Sequence, residues 1–299
     1  MNLRERRRLR TGLAFTGLWI VGIGVFTAWP VLASFYYSFC DYSILKAPVW
    51  SGLENYRELV HDDLFWKALR NPLFYAGLSV PLGTVVALSL ALLLNCEVRG
   101  RSLFRLFFYL PSIVPVVASA MLWLWIFNGQ FGLLNWALAP LLAPFGLHPP
   151  SWLVDPLWAK PALIIMSLWG VGNAMVIYLA GLQDVPRELY EAASIDGATG
   201  WQKFRFITLP MLTPIIAVVM TFSVLFTFTD FQLIYVLTRG GPINATHLMA
   251  TLAFQRAIPG GQLGQGAALA SSMIPFLVAS VMFSYFGLQR RKWQQGGRD

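Results

Sequence analysis

Long uncharged, apolar runs alternate along the chain with short segments that collect most of its charged residues. The uncharged runs cover residues 11–40, 71–96, 106–154, 161–183, 206–229 and 257–289. A helix needs about 20 apolar residues to cross the hydrocarbon core of a bilayer, so each run can hold a membrane span. The pattern predicts an all-α polytopic membrane protein with spans near residues 12–35, 72–96, 106–127, 161–182, 211–236 and 268–288.

The run over residues 106–154 is long enough for two spans, but prolines at positions 140, 144, 149 and 150 interrupt its second half. The piece that precedes Pro144 would make a helix of roughly 20 Å at 1.5 Å per residue, which is too short to cross. We therefore expect residues 131–147 to form an interfacial or re-entrant helix and the whole chain to have six spans.

Composition excludes several broad classes of protein. Hydrophobic residues make up 57% of the 299 residues and charged residues only 12%, and the mean hydropathy is +0.59. Soluble domains carry about a quarter charged residues, so this chain lacks the polar surface that a soluble enzyme needs. The same composition rules out a disordered chain and a disulfide-rich scaffold.

The distribution of Lys and Arg predicts the orientation of the chain in the membrane. Fifteen of the 22 Lys and Arg residues fall within residues 4–10, 99–105, 187–205 and 290–298, and the sequence has a net charge of +8. Cytoplasmic segments of membrane proteins are enriched in Lys and Arg, so both termini are expected in the cytoplasm, with residues 1–11 as a basic segment. A seventh span would move the later basic segments outside. Nucleic-acid binding is the alternative explanation of the pI of about 9.7, and topology accounts for it better.

The cysteine and histidine residues give little sign of redox or metal chemistry. Cys40 and Cys96 fall at opposite ends of their spans and would lie on opposite sides of the bilayer, so they cannot form a disulfide. His61, His148 and His247 lie in outer segments without an H-E-x-x-H motif, so no metal site is expected.

Two further segments resemble known signals only in part. The apolar stretch 12–35 is longer than the hydrophobic part of a secretory signal and has no small-residue cleavage site after it, so we expect a retained first helix. The glycine-rich stretch 260–266 is not followed by Lys-Ser or Lys-Thr and therefore does not match a phosphate-binding loop. The sequence thus predicts no ATP site in this chain.

The most informative segment is the connection between the fourth and fifth spans, the 28 residues 183–210. Helix–helix connections usually have about 2–8 residues. Pro186 favours a helix start, Asp196-Gly197 favours a left-handed turn, and residues 199–207 form a second short helix that Pro210 would stop. The segment is predicted to be a helix–turn–helix that protrudes into the cytoplasm, either to dock on a partner or as a surface hairpin without one.

This connection resembles a motif of a known family. The string EAASIDGATGWQKFRFITLP, residues 191–210, is similar to the EAA loop of binding-protein-dependent ABC importers, in particular their carbohydrate-uptake branch. GLENYRELVHDDLFWKALRNPLFY at residues 52–75 and YVLTRGGP at residues 235–242 resemble the maltose and glycerol-phosphate type of first permease subunit. Arg239 stands where many relatives have glycine, and no function is attached to that difference.

The resemblance implies the ABC importer type I permease fold for residues 12–299 and a transporter made of several chains. The partners would be a second permease subunit, two ATP-binding subunits and an extracytoplasmic solute-binding protein, in a bacterial or archaeal plasma (inner) membrane. ATP and Mg²⁺ would bind to the ATP-binding subunits, and this chain would bind no cofactor and contribute no catalytic residue. The loop 183–210 would dock on the ATPase, with Glu191 as its main polar contact. The coupling residues carried over are Glu188, Glu191, Ala192, Ala193, Asp196, Gly197, Ala198 and Pro210.

Polar and aromatic residues within the fourth and fifth spans are candidates for the substrate path, because polar groups at bilayer depth are costly. Aromatic rings with a few hydrogen-bonding groups suit a sugar, which has apolar faces and hydroxyl edges. The candidates are Trp169, Asn173, Thr221, Phe222, Phe226, Asp230, Gln232 and Tyr235. For the aromatic residues, helix packing and an outer aromatic belt remain the alternative.

Three other functions are less well supported by the sequence. A self-sufficient secondary transporter would show internal repeats or intramembrane charges, and only Asp230 comes near that description. A membrane enzyme would need chemical groups at bilayer depth, where this chain has no histidine. A glycerol-phosphate-type solute would favour Arg or Lys along the path, and the fourth and fifth spans contain neither.

Overall fold

In the computed structural model, which describes residues 3–96 and 99–296, helices joined by short loops make up most of the chain. Arg298 lies outside the described residues, as do the side chains of Arg6, Arg10 and residues 290–292. The helices are α1 (Leu3–Ile23), α2 (Trp29–Tyr37), α3 (Glu54–His61), α4 (Asp63–Asn95), α5 (Arg101–Tyr109), α6 (Val116–Ile126), α7 (Leu133–Leu142), α8 (Pro156–Trp169), α9 (Gly172–Gln183), α10 (Arg187–Ile195), α11 (Gly200–Lys203), α12 (Leu209–Thr229), α13 (Gln232–Leu237), α14 (Met249–Ala257) and α15 (Leu263–Gly296). The strands are β1 (Cys40–Ser43) and β2 (Lys46–Trp50).

Four continuous helical stretches are long and apolar enough to cross a bilayer: Thr11–Tyr37, Asp63–Asn95, Gly200–Thr229 and Leu263–Met282. Two pairs of helices meet the same condition when each pair is taken as one bent span. These pairs are Arg101–Ile113 with Val116–Ile126 and Pro156–Trp169 with Gly172–Gln183. Counted in this way, the described part of the chain has six spans, the number that the hydropathy pattern predicts.

The third and fourth spans are broken where the sequence predicted continuous helices. After α5 the chain makes a 3-10 turn, Leu110–Ile113, and the third span bends by 99° at Val114-Pro115. Proline has no amide hydrogen for the helix and disfavours the helical conformation at the preceding residue, so Val114 is extended, with ψ 130°. The fourth span bends by 46° between α8 and α9, at Gly170-Val171.

The fifth span begins within the cytoplasmic connection, so the expectation that Pro210 ends a separate short helix is wrong. α11 passes through a π turn, Phe204–Thr208, into α12 and forms one helix from Gly200 to Thr229. Pro210 cannot donate a helical hydrogen bond, and the wider turn before it accommodates that loss. α12 then ends at Thr229 and Asp230 separates it from α13, whereas the hydropathy pattern predicted one span over residues 211–236.

The segment after the third span forms a short helix. α7 and the 3-10 turn Ala143–Phe145 are apolar but too short to cross, in agreement with the length argument. Asn135 anchors α7, because its amide nitrogen donates to the carbonyl oxygens of Gly129 at 3.0 Å and Pro150 at 3.2 Å. Its side-chain oxygen accepts a hydrogen bond from the indole of Trp152 at 2.7 Å. One buried side chain therefore holds the loops on both sides of the helix.

One of the two compact units of the chain runs from the N-terminus to Asp62 and includes Leu252–Ser272. It contains the first span, whose apolar window has no fully buried residue. Strands β1 and β2 form an antiparallel hairpin that pairs Cys40 with Trp50. This hairpin is the one departure from the all-α prediction in the part of the chain that the structure covers.

Polar contacts hold this unit together beside the hairpin. The side chain of Asn55 donates to the carbonyl oxygens of Ser38 and Cys40, both at 2.9 Å. Arg256 forms an ion pair with Asp62 at 2.6 Å and also donates to Gln265 at 3.2 Å. These partly exposed contacts fix α3 against α14 and the start of α15, although a surface ion pair alone contributes little stability.

The other unit, Asp63–Thr251 with Met273–Asp299, contains two apolar clusters. One joins α6, α8 and α13 around Trp123, Phe127, Met166 and Ile234. The second joins α4, α9 and α12 and includes fully buried Ala87 and Ala91 beside Tyr178. Small residues let helices approach closely, and van der Waals packing at such contacts contributes to helix association in lipid.

The loop between α13 and α14 encloses a histidine. His247 is 2% exposed and lies against Gly240, and among the described residues neither of its ring nitrogens has a hydrogen-bond partner. The side chain of Asn71 holds the loop by donating to the carbonyl oxygens of Asn244 at 3.0 Å and His247 at 2.9 Å. Burial disfavours the charged imidazolium and lowers the pKa of His247 below its ordinary value.

Acidification is expected to destabilise the purified chain partly through His247. Because its pKa is lower in the folded state, the unfolded chain binds more protons, and stability falls as pH drops through the ordinary histidine pKa of about 6.5. The thermal midpoint of unfolding should decrease as the pH is lowered from about 7.5 to about 5.5. His247→Gln should make this decrease with pH less steep. The exposed His61 provides the control, since His61→Gln should keep the full slope. An unchanged slope in His247→Gln would contradict the prediction.

Candidate functional site

A cavity of about 850 Å³ lies between the second, fourth and fifth spans. Its walls come from α4, from α8 and α9 on both sides of the break at Gly170, and from α12. Its volume falls within the range of about 300–1,000 Å³ that is typical of small-molecule sites. The polar groups of its lining belong to Tyr75, Ser79, Thr84, Ser167, Asn173, Ser223 and Thr227.

A second cavity of about 680 Å³ adjoins the first. It is lined by the break of the third span, by Trp169, and by residues of the break between α12 and α13 that include Asp230 and Gln232. The two cavities share six lining residues, which we call the waist: Tyr75, Ser167, Gly170, Asn173, Phe226 and Thr227. The waist therefore joins the two cavities into one path. The backbone breaks of the third, fourth and fifth spans border this path.

Hydroxyl groups on the path keep their oxygen atoms available as acceptors. The hydroxyl of Thr227 donates to the carbonyl oxygen of Ser223 at 2.8 Å, and that of Ser223 donates to Val219 at 2.9 Å. Ser167 likewise donates to Ile164 at 2.7 Å. Each hydrogen is used within its own helix, so the remaining lone pairs can accept hydrogen bonds from a solute.

The charge of the lining is low. Asp230 is the one charged side chain among the described lining residues of the two cavities, and its carboxylate accepts from the amide of Leu233 at 3.4 Å, at the start of α13. No Lys or Arg is among those lining residues. The path offers aromatic faces, neutral hydrogen-bonding groups and one carboxylate.

Six of the eight path residues expected from the sequence line the cavities: Trp169, Asn173, Phe222, Phe226, Asp230 and Gln232. The other two lie outside the lining. Thr221 donates to Ala217 within its own helix at 2.7 Å, and Tyr235 stacks on Phe231 with ring centroids 5.0 Å apart. Arg239 places its guanidinium 5.9 Å from the ring centroid of Tyr235.

Sequence reasoning missed the contribution of the second span. Tyr75, Ser79 and Gly83 are spaced four residues apart on α4 and therefore share one face of that helix. The same spacing relates Ser223 to Thr227 in the fifth span. A search for polar or small residues repeated at this spacing within apolar spans would have found both groups.

The cytoplasmic connection forms a compact hairpin of α10 and α11. Gly197 follows α10 with φ +76°, the left-handed conformation predicted for it, and the amide of Ala198 donates back to the carbonyl of Ala193 at 2.8 Å. Thr199 and Gln202 form a capping box at the start of α11. Lys203 donates to Ser194 across the hairpin at 2.6 Å. The turn is thus fixed by hydrogen bonds on both sides.

The hairpin presents a mixed polar and apolar surface. Glu188, Glu191 and Asp196 are exposed on it, together with Ala192 and Gly197. Ala193 and Ala198 are half-buried, and Pro210 is exposed farther along, in α12. Two large apolar side chains are also uncovered, Ile195 at 88% exposed and Trp201 at 66%. The hairpin therefore exposes both carboxylates and large apolar side chains.

The hairpin is continuous with the helices that line the path. α9 leads into α10 through Pro186, and α11 runs without interruption into α12. The hydroxyls of Tyr190 and Thr208 lie 2.8 Å apart and tie α10 to the base of the fifth span. A displacement of the hairpin would therefore act directly on the fourth and fifth spans.

The chain is similar to known membrane transport proteins. Residues 79–294 match the family described as binding-protein-dependent transport system inner membrane component. The chain is 37% identical over 292 residues to the probable ABC transporter permease protein YesP of Bacillus subtilis, which covers 94% of this chain and 93% of YesP. It is 37% identical over 232 residues, 77% of each chain, to the trehalose/maltose transport system permease protein MalF of Thermococcus litoralis. In structure it resembles a bacterial ABC transporter involved in the import of the acidic polysaccharide alginate, with a TM-score of 0.79, 25% identity, and coverage of 95% of this chain and 99% of that chain.

Proposed function

The chain belongs to the family of binding-protein-dependent transport system inner membrane components and is a membrane-spanning permease subunit of an ABC importer, and we propose that its solute is a sugar or a sugar derivative. The combined path of the two cavities carries this proposal. Sugars have apolar CH faces and many hydroxyl groups, and the path supplies aromatic rings beside neutral hydrogen-bond acceptors. The relative MalF is named for trehalose and maltose, which supports the same class of solute.

The charge of the path favours a neutral solute over a phosphorylated one. An anion moved out of water needs cationic or strongly donating partners, because an unpaired buried charge is costly. The described lining has Asp230 and no cation, so a phosphate or carboxylate group would meet repulsion. A glycerol-phosphate-type solute is therefore the weaker candidate for this chain, although a second permease subunit could supply a cation.

We further propose that the hairpin of α10 and α11 couples the path to ATP hydrolysis. Glu188, Glu191 and Asp196 would make polar contacts with an ATP-binding subunit, and Ala192, Ala193 and Ala198 would permit close approach. Gly197 would set the bend, and Pro210 would mark the base of the fifth span. The exposure of the hairpin and its continuity with α9 and α12 support this role. ATP and Mg²⁺ would bind to two such partner subunits. A second permease subunit and a solute-binding protein would complete the transporter.

Uptake into proteoliposomes tests the class of solute. The transporter would be purified with its solute-binding protein and supplied with ATP inside the vesicles. Radiolabelled maltose and trehalose represent neutral sugars, glycerol 3-phosphate a phosphorylated solute, and a uronic-acid oligosaccharide an acidic sugar. We expect ATP-dependent uptake of a neutral sugar and little uptake of glycerol 3-phosphate. Uptake of glycerol 3-phosphate without uptake of any sugar would contradict the proposal.

A further inference from the structure

The breaks of the third and fourth spans meet at one side chain. Ser112 lies in the 3-10 turn that precedes the 99° bend of the third span, and it lines the second cavity. Its hydroxyl donates to the carbonyl oxygen of Gly170 at 3.3 Å and accepts from the backbone amide of Asn173 at 3.2 Å. Gly170 and Asn173 stand on either side of the 46° bend of the fourth span. A single hydroxyl group therefore bridges both breaks.

These two hydrogen bonds satisfy backbone groups that the break leaves without their helical partners. A break in a helix removes the bonds between residues four apart, and lipid offers no water to replace them. Broken helices persist at membrane depth where another protein group or a cavity satisfies the freed backbone. Ser112 supplies one donor and one acceptor to the break of the fourth span.

The backbones of the two spans are also in close contact at this point. A Cβ atom on Gly172 would lie 2.6 Å from the hydroxyl oxygen of Ser112 and 2.9 Å from the Cα of Tyr109, and it would collide with the carbonyl oxygen of Phe108. Such distances are far below van der Waals contact, so only glycine lets α9 approach α5 this closely. The close approach keeps Ser112 within hydrogen-bond reach of the break.

We propose that Ser112 is a positioning residue that pins the two breaks together, so that α5 and α9 pivot as one body at the waist during transport. The far end of α9 continues into the proposed coupling hairpin, so a displacement of the hairpin reaches the break through a single rigid helix. Hinges absorb such movements at a few residues between rigid elements. With Ser112 in place, α5 follows α9, and the third and fourth spans change the width of the waist together.

Without the hydroxyl group, α9 can rotate at Gly170 without a corresponding movement of α5. The third span would then no longer follow the fourth, and the waist would open incompletely or at the wrong stage. The inference rests on the proposed path and coupling hairpin, but it does not depend on which solute is carried.

Distance measurements between spin labels test whether Ser112 holds α5 and α9 together, and they need no solute. Labels at Leu103 on α5 and Val176 on α9 occupy sites that are 56% and 40% exposed. Cys96, the exposed native cysteine, would be replaced by serine, and Cys40 is buried. The complete transporter, in lipid nanodiscs, would be measured free of nucleotide and after trapping with ATP and vanadate. The rate of ATP hydrolysis reports assembly with the ATP-binding subunits.

In the parent protein we expect the distance between α5 and α9 to stay the same in both states. In Ser112→Ala it should change between states by about 2 Å or more, the size of helix shifts in switching proteins. Ser112→Thr keeps the hydroxyl group and should behave like the parent. Ser272→Ala is the matched control, because the Ser272 hydroxyl donates within its own helix to Leu269 at 2.7 Å.

Three results would overturn the proposal. The first is a constant distance in Ser112→Ala. The second is an equal change of distance in Ser112→Ala and Ser112→Thr, which would indicate packing rather than the hydroxyl group. The third is a change of distance in the parent protein itself, which would overturn the proposal whether or not Ser112→Ala assembles. None of these results bears on the class of solute, which the uptake experiment measures separately.

Discussion

Gly197→Pro is expected to abolish ATP-driven import while the chain remains inserted in the membrane. Gly197 adopts φ +76°, and proline is restricted to about −65°, so the turn between α10 and α11 cannot form. A proline in an incompatible position costs about 3 kcal/mol or more, so the native hairpin should become about 100-fold less populated. Import in proteoliposomes should fall by a similar factor, because the hairpin no longer transmits movement. ATP hydrolysis should continue without transport.

Gly200→Ala is the matched control for this substitution. Gly200 lies three residues farther along, at the start of α11, with open space where a Cβ would be and no positive φ. It should import at a rate close to that of the wild type. Full import by Gly197→Pro would show that the hairpin does not couple the permease to ATP hydrolysis.

Asn173→Trp is expected to block the path. Asn173 lines both cavities at the waist, and its side chain is exposed to them in the isolated chain. An indole group in this position would occupy the space that a sugar must cross. Extra bulk in a packed space costs about 1–3 kcal/mol, so we expect the initial rate of uptake in proteoliposomes to fall by roughly 10- to 100-fold. Asn173→Ala should instead weaken uptake modestly, through loss of a hydrogen bond worth about 1 kcal/mol.

Val176→Trp controls for the bulk of the new side chain. Val176 lies on the same helix, is 40% exposed, and is absent from the lining of both cavities. Its substitution should leave uptake within a few fold of the wild type. If Asn173→Trp imports as well as Val176→Trp does, the waist is not on the substrate path.

The sequence predicted the larger features of this molecule because bilayer thickness imposes them. Six spans follow from the length of the apolar runs, and this number needs no knowledge of packing. The turn at Gly197 was also predictable, since glycine after a short amphipathic helix favours the left-handed conformation. Both predictions depend on local properties of the chain.

The helix breaks could not be predicted because they depend on neighbouring spans. Pro115 breaks the third span, whereas Pro72 and Pro81 lie inside the continuous helix α4. Gly170 breaks the fourth span at a point where Ser112, 58 residues earlier, supplies the replacement hydrogen bond. Whether a proline or glycine breaks a span therefore depends on contacts that hydropathy does not contain.

The candidate path also contains some residues that the sequence could predict and others that it could not. Asn173 and Asp230 were identifiable because a polar residue in an apolar span is costly and stands out. Tyr75 and Ser79 were not, because their contribution depends on which face of α4 turns toward α9 and α12. The position of Thr221 along the fifth span predicts a path residue, but Thr221 is absent from the lining of both cavities.

We expect this chain to form a path whose opening is driven by separate ATP-binding subunits. The most direct test is gentle purification through an affinity tag on this chain, followed by mass spectrometry of the proteins recovered with it. We predict recovery of a second permease subunit and an ATP-binding subunit, with ATP hydrolysis in the purified sample. Recovery of this chain alone, folded and active in transport, would contradict the claim.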